Sequence, residues 1–139
     1  MVKRRRGSRS AERRPRALRH ERFERLVDIA VAGIPQPFRA ALAEIALVIA
    51  DEPTPDQLRE NGMRQDETMY GLYEGVPHGL WHGDDVPVPT RIILFRLPLE
   101  QDFPHPEDLA DEVRVTVLHE LAHHLGIEDE ERLHQLGID

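Results

Sequence analysis

The sequence predicts an α+β fold, and three observations carry that prediction. Apolar side chains recur at helical spacing between Leu18 and Ile34. Two short apolar runs, 45–50 and 91–96, are bounded by prolines and acids as strands are, and a long helical pattern from Glu107 to Leu125 stops at Gly126. With 139 residues, 40% of them hydrophobic, the chain is long enough for one globular domain and short for two.

The first helix follows from Phe23, Leu26, Val27, Ala30 and Ile34, which share one face of a 3.6-residue period, and the pattern ends before Pro35 and Pro37. Pro37 suits the first turn of a short second helix, Phe38 to about Glu44, because that turn leaves its amides unbonded anyway. The latter part of Ile45–Ala50 reads as a buried strand, closed by Asp51, Glu52 and Pro53. Thr54 followed by Pro55 is a cap and first-turn pair, so a brief helix is expected before Asn61-Gly62. From there to Pro89 glycines and prolines make the chain read as loop, with Tyr70-Gly71-Leu72-Tyr73-Glu74-Gly75 embedded in it. The segment Arg91–Arg96, between Pro89 and Pro98, is the second strand.

Composition then narrows the chemistry. The chain has no cysteine, which excludes disulfides, thiol catalysis, Fe–S clusters and cysteine-held zinc, and leaves His, Asp and Glu as metal ligands. Its longest uncharged apolar run, Ile45–Ala50, is far too short to cross a bilayer, so no membrane association is expected. The net charge of -8 averages two unlike parts: residues 1–25 carry eleven Lys/Arg against three Glu, and the remainder seven Arg against twenty-three acids. Residues 1–17 are expected to form a basic, disordered N-terminal arm, with 18–139 a single domain. No apolar stretch or small-residue cleavage site follows the basic start, so a cytoplasmic location is expected. The arm has the charge to neutralise phosphates, but neither aromatic interleaving nor a recognition helix accompanies it, so a solvated tail is preferred over a nucleic-acid contact.

The chemistry concentrates in His119-Glu120-Leu121-Ala122-His123, an HExxH sequence on the long helix. Positions 119 and 123 differ by about 40° around a helix axis, so both imidazoles lie on one face and can share an ion, with Glu120 to the side as a general base. The apolar stripe of Val113, Val117, Leu118, Leu121 and Leu125 lies on the opposite side, so the two histidines are not core residues, whereas His124 points toward the apolar side and reads as structural. A catalytic zinc usually takes three protein ligands. Gly126 can adopt a left-handed helix terminus and turn the chain back, which favours Asp129 as the third ligand over Glu128, Glu130, Glu131 and His134. Tyr70, Tyr73, His78 and His82 are candidate oxyanion donors, none singled out, and the cluster from His78 to Asp85 has no spacing suited to a second metal.

The extended pattern His119-Glu120-x-x-His123-x-x-Gly126-x-x-Asp129, with Ala46–Pro53, Gly71–Pro77 and Arg91–Arg96 in that order before it, resembles the minimal zincins, short zincin-like metallopeptidases. The resemblance implies a zincin-like fold with a small mixed β-sheet packed with helices and the active-site helix near the C-terminus. It implies His119, His123 and Asp129 as ligands of Zn2+ and Glu120 as the catalytic base. Unlike larger relatives, this chain has Asp rather than His as the third ligand and no methionine after Met69.

The expected activity is zinc-dependent hydrolysis of peptide bonds in a peptide or protein substrate, through a metal-activated water with Glu120 as general base. Arg91–Arg96 is the expected edge strand for an extended substrate. The competing class is a zinc-binding but catalytically weak or latent regulatory or binding module that contacts nucleic acid through its basic arm. Retention of Glu120 beside the ligands favours the enzyme, since a structural site needs no base; the sixteen residues after His123 leave little room for a second lobe and favour weak or narrow activity.

Overall fold

The computed structural model describes residues 3–5, 15–75, 90–127 and 130–135. Its elements run β1 (Lys3–Arg5), α1 (Arg16–Ala32), α2 (Phe38–Leu42), β2 (Ala46–Ala50), α3 (Pro55–Glu60), β3 (Glu67–Met69), β4 (Gly71–Glu74), β5 (Arg91–Phe95), α4 (Arg96–Asp102), α5 (Pro106–His124) and α6 (Glu130–Gln135). Helices surround a small mixed sheet, the α+β architecture expected.

The sheet has strand order β2-β5-β4, with β2 parallel and β4 antiparallel to β5. A central strand buried on both faces reads as a continuous apolar run rather than an alternating one, which is why Arg91-Ile-Ile-Leu-Phe95 is so uniformly hydrophobic. Ile92 and Leu94 pack on one side with Phe23, Val27, Val113, Val117 and Leu121 from α1 and α5. Ile93 and Phe95 pack on the other with Leu58, Met63, Met69 and Leu72. Each such side chain contributes about 1.5–3 kcal/mol by leaving water.

Three expectations change here. β5 is central and therefore not the edge strand expected for substrate; among the described residues the edges of this sheet are β2 and β4. The strand within 45–50 is itself an edge, so Ala46 is exposed and 47–50 are half-buried rather than buried. The stretch read as loop contains β3 and β4, and β3 pairs antiparallel with β1 from the basic N-terminal stretch.

Local chemistry explains the helix ends. At α3, Thr54 Oγ1 accepts from Gln57 N–H at 3.0 Å while Gln57 Oε1 accepts from Thr54 N–H at 2.9 Å, a reciprocal capping box with Pro55 in the first turn. Arg96, at the start of α4, is fully buried. Its guanidinium donates to Asp51 Oδ1 at 3.1 Å and to Glu100 Oε1 at 2.9 Å, tying the C-terminal ends of the parallel strands β2 and β5 together. Burial works to lower the Arg96 pKa, but the hydrogen bonds and charges of Glu100 and Asp51 outweigh it and raise it.

Candidate active site

The nineteen-residue helix α5 begins with Pro106 in its first turn and with Glu107 and Asp108 near its positive end, where their charges favour the helix dipole, and it carries His123 and His124 in its last turn. Its C-terminus is a Schellman motif. Gly126 has φ 76°, its N–H donates to the carbonyl of His123 at 3.0 Å, and the Ile127 N–H donates to the carbonyl of Ala122 at 2.8 Å. The left-handed glycine expected from the sequence is therefore present, and it reverses the chain immediately after the HExxH turn. Asp129 and Glu128, next along the chain, lie outside the described residues, as do His78 and His82. Glu131 and His134 on α6 are exposed.

His119 and His123 lie side by side, ring centroids 5.8 Å apart and planes at 80°. Two imidazoles on one zinc, at Zn–N distances of about 2.0–2.1 Å, bring their centroids to about 5 Å. The pair thus needs only a small side-chain adjustment to share an ion, and the nitrogen donor set suits zinc. The residues fit the metal as two of its ligands; among the described residues no three His, Asp or Glu side chains gather as a metal site.

Glu120 is 1% exposed. Its Oε1 accepts the backbone N–H of Tyr73 at 3.0 Å and lies 3.4 Å from His123 Nδ1. The contact to Tyr73 depends on register. Leu72 and Glu74 face β5 across the ladder, so the Tyr73 amide points outward from the sheet, toward α5. Close approach of strand to helix is possible because residue 71 is glycine: a Cβ there would lie 2.6 Å from Thr116 Cγ2, one turn before Glu120.

The two tyrosines of the central segment are both engaged. The Tyr70 hydroxyl donates to Asp102 and its ring packs edge-on against Phe103. The Tyr73 hydroxyl and His124 Nδ1 are 3.0 Å apart, and His124 is buried. Burial pushes the Tyr73 pKa above the ordinary tyrosine value, against a hydrogen bond with Thr90 that lowers it, so the hydroxyl is neutral at physiological pH. Sequence reasoning missed the β4 edge and the Tyr73 amide. The available signal was the two-residue spacing of Gly71 and Tyr73, small and large positions on the same side of an extended segment.

An HExxH helix laid along the open edge of a small mixed sheet defines a zincin-like protein. Residues 42–138 match the family profile of zincin-like metallopeptidases, and the chain belongs to that family. No curated protein matches it. Among the described residues, no helix is long and apolar enough to cross a membrane.

Proposed function

We propose that this protein is a zinc-dependent peptidase in which His119, His123 and Asp129 hold the ion and Glu120 is the general base. The observation that carries the reading is the placement of Glu120: a buried carboxyl group beside the two imidazoles, held at the outer edge of β4. Zinc bound there supplies Lewis acidity, polarising the scissile carbonyl and acidifying water. With Oε1 turned to the Tyr73 amide, Glu120 Oε2 takes the proton of the attacking water and delivers it to the leaving amine. The scissile bond of a peptide substrate is then presented beside Glu120 and the two imidazoles.

The test is metal analysis and peptide hydrolysis on the wild type, Glu120→Gln and His119→Ala. The reading expects about one zinc per chain in the wild type and Glu120→Gln, loss of zinc in His119→Ala, and a fall in hydrolysis of about 10²–10⁴-fold in Glu120→Gln. Absence of stoichiometric zinc from both the wild type and Glu120→Gln refutes the ligand set. Equal hydrolysis by those two refutes the base.

A further inference from the structure

Strand β4 does not merely lie near α5; it runs along one stripe of the helix in step with it. Two residues of strand advance about 6.6–6.8 Å and four residues of helix about 6.0 Å, so positions 71 and 73 fall opposite helix positions one turn apart. The contacts follow that match. Gly71 sits against Thr116, the Tyr73 N–H donates to Glu120, and the Tyr73 side chain reaches on to His124, one turn further. Thr116, Glu120 and His124 are all buried.

Tyr73 therefore touches α5 at both of its ends. Its backbone holds the carboxyl group of Glu120, and its hydroxyl is tied to His124 Nδ1 at 3.0 Å and hydrogen-bonded to Thr90. On its far side, His124 Nε2 lies 3.7 Å from Glu44 Oε2, just after α2. The outward amide of an edge strand ordinarily faces solvent and is free to shift with the strand. Here the aromatic side chain anchors the strand one helical turn beyond the carboxyl group that the amide must hold.

We propose that Tyr73 and His124 are positioning residues for Glu120: their contact fixes β4 so that the Tyr73 amide orients the catalytic carboxyl group. The catalytic part of the proposal rests on the peptidase reading, whereas the orientation of the carboxyl group does not. His124 is then more than a buried structural histidine, and Tyr73 acts through its main chain rather than as a donor to substrate.

The experiment compares wild type, Tyr73→Phe, His124→Ala and His124→Asn, whose amide group restores a polar atom near the Nδ1 position. Amide hydrogen exchange is read at residue 73, with Leu72, which is paired to β5, as the internal control. Tyr73→Phe and His124→Ala are expected to reduce protection at residue 73 by about tenfold, leaving Leu72 unchanged, and His124→Asn to restore most of it. In peptide hydrolysis the first two variants are expected to lower kcat by about the same factor at unchanged KM, with zinc content equal to the wild type. Protection at residue 73 that stays within about twofold of the wild type in both variants overturns the proposal, as does equal loss at Leu72, which reports melting of the strand. If the wild type cleaves no peptide while the exchange pattern is as expected, the positioning of Glu120 stands and the peptidase reading falls.

Discussion

Gly71→Ala tests the close approach on which the site is built. The added methyl would lie 2.6 Å from Thr116 Cγ2 and 3.3 Å from the Ile93 carbonyl oxygen. Carbon atoms pack best at about 3.5–4.0 Å, so the methyl or its neighbour must move by about 1 Å. Neither neighbour yields easily. Thr116 is fully buried on α5 with a stiff β-branched side chain, and Ile93 lies in the central strand. Overpacking of a core costs about 1–3 kcal/mol, and with two rigid neighbours about 2 kcal/mol is expected, a drop of about 1 M in the urea midpoint followed by circular dichroism. Thr116→Ser removes the opposing methyl group and alone costs about 1 kcal/mol. The double variant Gly71→Ala with Thr116→Ser is expected to lose only about 1 kcal/mol in all, a coupling of about 2 kcal/mol between the positions. A double variant that loses the sum, about 3 kcal/mol, or a single Gly71→Ala within about 0.5 kcal/mol of the wild type, refutes the contact as the reason for the glycine.

Three further outcomes are expected. Arg96→Ala leaves Glu100 without its buried guanidinium and Asp51 with, among the described residues, only the exposed Arg16; since both carboxyl groups are partly exposed, the loss falls near the lower end of the range for broken buried pairs, about 3 kcal/mol by urea unfolding, and a loss below about 1 kcal/mol contradicts it. Gly126→Ala forces an alanine into a left-handed conformation and is expected to cost about 1 kcal/mol, lowering the thermal midpoint by about 4 °C; an unchanged midpoint shows that the turn does not need the glycine. Glu112 on α5 has its pKa raised by burial, so its folded state favours the protonated form, and the stability this confers is present below the unfolded pKa and lost as pH rises through the higher folded one. Glu112→Gln is therefore expected to be more stable than the wild type at pH 7, with the gap closing toward pH values of about 4, and a gap independent of pH contradicts the burial effect.

What could be read in advance follows the range of the interactions involved. The starts and stops of α3 and α5 depend on residues within a few positions of each other, as Thr54 with Gln57 and Gly126 with Ala122 show, so the sequence displays them directly. The HExxH pair is legible for the same reason. β4 is not: four residues beginning with glycine have no periodicity to notice, and the strand exists because β5 pairs with it on one side and α5 meets it on the other. Pro98 was misleading for a physical reason. It ends a strand pattern on paper, yet it lies in the first turn of α4, where a missing amide costs nothing, so the helix begins at Arg96 and carries the proline within it. The edge positions of β2 and β4 depend on strand order, which no local pattern encodes.

The division of α5 into stripes explains why one helix can serve both core and chemistry. Taking Glu120 as the origin at about 100° per residue, Val117 and Leu121 fall at about +60° and +100°, toward the core, while His123 and His119 fall at about −60° and −100°, at the half-buried margin. Thr116, Glu120 and His124 lie within about 40° of the origin, between the two sets, and this is the stripe that β4 covers. A carboxyl group on the histidine side would be as accessible as the two imidazoles and oriented by little but its own rotamer. On the core side it would be buried among aliphatic groups with no donor to hold it. Placed at the boundary and capped by the outward amide of an edge strand, Glu120 is withdrawn from solvent yet one residue from His119 and 3.4 Å from the His123 ring. The HExxH spacing thus does two things at once: it sets two imidazoles side by side on one face of the helix, and it assigns the intervening acid to the stripe that β4 orients.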